Sequence, residues 1–328
     1  PSVPRPRSAA PRAARLSTLW RRSLVSGRER WAGRVGRGGR RGRRRTPSSP
    51  APAQRATDAG TPLPNTRISH DAIRRVEAGL DKGEAVQALR RFNENLRALT
   101  PSNWHAKLSP AMHTLAHNLE SFNPAFAAVV LAVQLTIGET EYEARDAALK
   151  GLILPLAGEY GLHPGQPHEA THRALFQAFY EDLLQEPLSA ALARDPAPAP
   201  SRLLLTQMMR DIGSAGGAPL PLTRTDVAAY ALGYNLAIEY LADVEKTWML
   251  DSFRALDASI LAPAGRALTE WLFLEVHAEG EAEHAAIGHA AVAALVPAAL
   301  EPLLARAAAD HDRDFAAFYN GLADMLEA

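Results

Sequence analysis

Two imidazoles and a carboxylate at helical spacing define the chemistry this chain could do. In Glu275–His289, which reads E-V-H-A-E-G-E-A-E-H-A-A-I-G-H, His277, Glu281 and His284 stand at i, i+4 and i+7. An α-helix turns by about 100° per residue, so the three fall within roughly 60° of one another on one face. Glu279 and Glu283 project away from that face. Such nitrogen and oxygen donors suit a first-row transition metal, and non-heme iron enzymes use them with a further carboxylate shell. An ordinary amphipathic helix in an Ala- and Glu-rich chain would carry the same letters, so other segments must supply the rest of the shell.

Two segments are candidates. In Leu152–Tyr180, Glu159 ends one helical stretch and His172 falls in the first turns of the next. The break between them, G-L-H-P-G-Q-P at Gly161–Pro167, cannot be helical, and a tight turn there lets a carboxylate and an imidazole converge. His163 and His168 lie between them and compete for the same role; the L-F that follows His172 anchors its helix in the core and favours it. Further on, Glu239 follows Leu236 by three residues and Leu232 by seven, with Ala242 three beyond. That is a buried side, where an unpaired carboxylate is costly or neutralised and a metal would justify it. Asp243 shares the face at i+4, and Glu245 reads as a solvated partner of neighbouring charges. His289 reads as structural or as support for the ligands. His105, His113 and His117 lack nearby carboxylates and read as core or surface histidines.

These residues need helices to hold them, and the composition favours helix. Beyond the N-terminal segment the chain is rich in Ala and Leu and poor in runs of β-branched and aromatic residues. Helical periodicity runs from His70 to Leu99, from about Ser109 to Gly138 with an interruption at Asn123-Pro124, and from Glu139 onward with a kink at Pro155. A helix starts near His168 or Glu169, a short one covers Leu203–Asp211, and a long one runs from about Arg224 to Phe253. The motif helix spans about Pro263 to Ala290, and a last pair is broken near Pro297 and Pro302. The pattern predicts an all-α bundle of about seven helices over residues 66–328.

Composition excludes several chemistries. The 328 residues include no cysteine, so there is no disulfide, thiolate nucleophile, zinc–sulfur site or iron–sulfur cluster. The formal net charge of zero conceals an asymmetry. Pro1–Thr57 carries 16 arginines against a single acidic residue, Glu29; removing these from the 36 basic and 36 acidic residues of the chain leaves 20 and 35, a net charge of about −15. Residues 1–65, dominated by Arg, Pro, Gly, Ala and Ser, cannot bury enough apolar surface to offset the entropy of ordering and are expected to be disordered. Such a tail fits a nucleic-acid or membrane-surface arm, an organelle transit peptide, or an extension translated from an upstream start. No apolar run reaches the ~18–20 residues that span a bilayer, so the body is expected to be soluble and cytoplasmic.

Together the three segments resemble the heme-oxygenase-like diiron oxidase/oxygenase superfamily, the iron-containing redox enzymes. The matching features are Glu159 followed by a loop and H-x-x-L-F from His172, G-x-x-x-A-x-E from Gly233 to Glu239, and H-x3-[DE]-x2-H at His277, Glu281 and His284, in that order. The resemblance covers residues 75–328. Glu281 stands where the family more commonly has Asp, and the Pro/Gly-rich stretch between His172 and Glu239 does not align with the family pattern. The thiaminase-like branch of the fold uses a cysteine nucleophile, which this chain lacks. The resemblance implies a heme-oxygenase-like bundle and two Fe ions held by Glu159, His172, Glu239, His277, Glu281 and His284. It also implies O2 as co-substrate and a small organic substrate, an amine, an amino-acid-derived compound or a fatty acid, with a homodimer as the possible assembly. A rival placement pairs Glu169 with His172 and Glu281 with His284, as in ferritin-like diiron bundles. A rival function is a non-catalytic helical protein whose basic arm binds nucleic acid.

Overall fold

The computed structural model describes residues 66–162, 169–219 and 221–327, with the side chains of 120, 243–247 and 279–283 outside that description. Residues 1–65, on which the disordered-tail expectation falls, lie outside it too. Ten α-helices and no strand occur among the described residues. They are α1 (His70–Leu80), α2 (Glu84–Arg97), α3 (Trp104–Gln134), α4 (Tyr142–Glu159), α5 (His172–Leu184), α6 (Leu188–Arg194), α7 (Ala199–Ser214), α8 (Arg224–Leu256), α9 (Leu272–Leu295) and α10 (Glu301–Glu327). The all-α bundle is the architecture found; short helices within stretches read as one raise the count above seven.

The long α8 is the axis of the bundle, packing against α9, α10, α2 and α3. Its buried Tyr230, Leu232, Tyr234, Leu236, Ile238 and Phe253 join the main core cluster. Helix α4 packs between α3 and α9, and α5 leans on α9 and α3. Thr223 and Asp226 close a reciprocal cap at the start of α8, satisfying amide groups the helix itself leaves without partners.

Several boundaries differ from the expected ones. Helix α3 begins at Trp104 and continues through Pro110 and Pro124, because packing on both sides outweighs the loss of a backbone hydrogen bond at each proline. Pro155 lies inside α4, which continues past it as expected. Glu139 does not open that helix. Its carboxylate accepts from the backbone N–H of Arg224 and Thr225 and from the Thr225 hydroxyl, tying the α3–α4 turn to the start of α8. Burial raises its pKa, yet these donors outweigh it and hold the carboxyl below its usual value. Helix α9 begins at Leu272, not Pro263. Gly265 adopts φ 75°, which ends the turn after α8, and the Asp182 carboxylate then fixes the chain by accepting from the N–H of Thr269 and Glu270.

Candidate metal centre

Glu159 and His172 meet across the break between α4 and α5. The Glu159 Oε1 to His172 Nδ1 distance is 2.9 Å. Two local features bring them together. Gly161 turns the chain at φ 70°, and a Cβ there would stand 2.4 Å from the carbonyl oxygen of Glu169, so the return of the chain requires glycine. Thr171 then caps α5, its hydroxyl accepting from the N–H of Ala174 at 3.1 Å. His172 is thereby the first residue of α5, 6% exposed.

A second pair joins α8 to α9. Glu239 is 3% exposed, and its Oε2 lies 3.7 Å from Nδ1 of His284. His277, two turns earlier on α9, places its ring centroid 4.7 Å from that of His172, linking the two pairs. Its Nδ1 is 2.6 Å from the Phe273 carbonyl oxygen. A carbonyl only accepts, so Nδ1 carries the proton and Nε2 the lone pair, the tautomer that a metal-binding imidazole needs.

Glu159, Glu239, His277 and His284 line one cavity of about 130 Å³. Its remaining wall is mostly apolar and comes from α3, α4, α5, α8, α9 and α10, with six phenylalanines among its residues. The donor set is nitrogen and carboxylate oxygen with no sulfur, which suits a first-row transition metal. Among the described residues no three of His, Asp and Glu close on a single point as a metal cage does; the donors stand as two Glu–His pairs with His277 beside them.

Of the six expected ligands, five are placed, and all five meet around this cavity or across a contact with a residue that lines it. Glu281 lies on α9 between His277 and His284, but its side chain is outside the description, as are those of Asp243 and Glu245; His163 and His168 lie wholly outside it. The rival ferritin-like placement needs Glu169 within a helix. Glu169 is exposed and precedes α5, because Thr171 caps the helix only at His172. His113 is buried, His117 half-buried and His105 exposed. His289 has partners the spacing did not suggest. Its Nδ1 lies 2.8 Å from Glu77 Oε1 and its Nε2 2.8 Å from His70 Nδ1, fastening α1 to α9.

Asn118 and Tyr319 also line the cavity and went unsuspected. The one available signal for Asn118 was its place on the apolar stripe Met112, Leu115, Leu119, Phe122 of α3.

No protein-family model and no curated protein matches the chain. The crystal structure of a CadD-like protein of unknown function from Nostoc punctiforme PCC 73102 matches with a TM-score of 0.58 at 15% sequence identity. The match covers 77% of this chain and 96% of that one. The likeness is one of fold. CadD-like proteins have the heme-oxygenase-like helical fold, which is the architecture that the three segments implied. No helix among the described residues is long and apolar enough to cross a membrane.

Proposed function

We propose that the chain is a non-heme diiron oxidase or oxygenase that uses O2 to oxidise a small organic substrate in the cavity lined by α3, α4, α5, α8, α9 and α10. The observation that carries this reading is the meeting of Glu159, His172, Glu239, His277 and His284, from three separate stretches of sequence, around one mostly apolar cavity. Glu159, His172, Glu239, His277 and His284 would hold the iron, with Glu281 as the sixth ligand. Iron bound there supplies the redox chemistry that couples O2 reduction to substrate oxidation.

The chain's own contributions follow from its geometry. Glu159 and His172 come within 2.9 Å of each other across the α4–α5 turn, close enough to share one ion. The Phe273 carbonyl fixes the His277 tautomer. The phenylalanine wall lowers the polarity around the donors and strengthens the electrostatic interactions among them. Glu239 is buried on the axial helix, so the α8 backbone fixes its place without a flexible loop.

The test is O2 uptake by chain loaded anaerobically with Fe(II). The proposal predicts uptake that depends on loaded iron and falls by at least about tenfold in Glu239→Ala, a loss of the size expected when an essential group is removed. Equal uptake by the wild type and the variant would overturn it.

A further inference from the structure

Asn118 sets a requirement on what the cavity holds. It is 3% exposed on α3, lines the cavity, and its Oδ1 has no hydrogen-bond partner. A side-chain amide both donates and accepts. Buried without a partner, the Oδ1 acceptor loses its hydration and recovers nothing until a ligand supplies a hydrogen-bond donor.

The surroundings of the amide narrow the ligand. Phe122, Phe126, Phe176, Phe179, Phe253 and Phe273 line the same space. Phe176 meets Phe273 at 75° with centroids 5.1 Å apart, and Phe179 meets Phe253 at 87° and 5.0 Å. Edge-to-face contacts of this kind extend readily to a further ring. The cavity measures about 130 Å³, and an apolar cavity of about 150 Å³ accepts one benzene. Among its described lining residues there is no Lys or Arg, while Glu159 and Glu239 face it. With no metal bound, an anionic group would be repelled there and left without a counter-ion.

We propose that the cavity binds a small aryl compound bearing one uncharged hydrogen-bonding group, a hydroxyl or an amine, which pairs with the Asn118 amide. This names the substrate class for the proposed oxidase and rests on that reading of the cavity, yet the binding step can be measured apart from turnover.

The experiment is calorimetric titration of the full-length chain, as purified and with its iron content measured on the same sample, using phenol, aniline, toluene and benzoate. Toluene leaves water more readily than phenol, so a purely apolar cavity would rank toluene first. The expected result is phenol or aniline binding about tenfold tighter than toluene, the worth of one satisfied buried hydrogen bond, with benzoate weakest. Asn118→Leu should remove that preference and leave toluene affinity within about twofold, with toluene binding also reporting that the cavity is intact. The wild-type ranking alone decides the matter if the variant does not fold. Toluene equal to or tighter than phenol, benzoate as the tightest ligand, no binding of any of the four at millimolar concentration, or an unchanged preference in Asn118→Leu would each overturn the proposal. Phenol selectivity in a chain that takes up no iron would sink the oxidase reading alone; iron uptake without selectivity would sink the ligand assignment alone.

Discussion

A single hydrogen bond decides what His277 can do. With Nδ1 held by the Phe273 carbonyl, the ring can offer only Nε2, and an imidazole oriented in this way is a better metal donor than one free to rotate. Glu239 makes the complementary argument. A carboxylate buried this deeply in a mostly apolar setting stabilises the fold little by itself, because desolvation offsets what its pairing with His284 provides. Glu239→Gln should therefore leave the thermal midpoint of the metal-free chain within a few degrees of wild type while removing about half or more of its iron uptake. Calorimetry and metal analysis of one preparation check both parts. A large drop in the midpoint with iron uptake intact would mark Glu239 as a structural residue. At this scale the sequence was informative wherever helical spacing governs, as with His277 and His284. For Asn118 it offered only a place on an apolar stripe, because a polar group is no further signal until neighbouring helices enclose it, and it was silent on the Glu77–His289–His70 chain, which joins residues more than 200 positions apart.

Between elements, turns and ion pairs do the positioning. Gly161 carries both a left-handed backbone and a close approach to Glu169, so Gly161→Ala must open the α4–α5 turn. The expected cost is about 1–3 kcal/mol in chemical denaturation, together with weakened iron binding through displacement of Glu159 from His172. A variant of unchanged stability would mean that the turn tolerates a Cβ. A second arrangement joins α7, α8 and α10. Arg313 bridges the buried carboxylates of Asp211 at 2.9 Å and Asp314 at 2.8 Å, and the Tyr234 hydroxyl donates to Asp314 at 2.9 Å. Burial pushes the Asp314 carboxyl up to about 6, opposed by Arg313 and Tyr234 and reinforced by Asp211. On the same helix burial pushes His311 down to about 3. The signs oppose. Asp314 binds its proton in the folded chain first, so its contribution is full below about pH 4 and is lost as pH rises through about 6. His311 stays neutral in the fold while its unfolded form is protonated, so its contribution is full above about pH 6.5 and is lost as pH falls towards 3. Asp314→Asn removes the first effect and leaves the second unopposed. Its unfolding free energy should fall more steeply than that of wild type between pH 6 and pH 4, measured by urea denaturation across that range; parallel slopes would contradict the assignment. The helices themselves were legible from periodicity, and their ends were not. Continuation through Pro110 and Pro124 and the late start of α9 are set by packing and by Asp182, neither of which a local window contains.

For the molecule as a whole, α8 is the element that makes the rest intelligible. It carries Glu239 to the cavity, Tyr234 to the Asp314 network, and a surface on which α2, α3, α9 and α10 all pack. The shared fold with a CadD-like protein at 15% identity is consistent with a bundle whose shape depends on pattern more than on particular residues. Fold alone does not assign an activity. The claim that matters rests on the two Glu–His pairs, and it is tested most directly by counting metal. The full-length chain is reconstituted anaerobically with Fe(II), freed of excess metal and assayed by atomic emission beside Glu159→Ala and His284→Ala. The account predicts about two irons per wild-type chain, the number that diiron bundles hold, and about one or fewer in each variant. A wild-type chain holding well under one iron, or variants that bind as much as wild type, would contradict it.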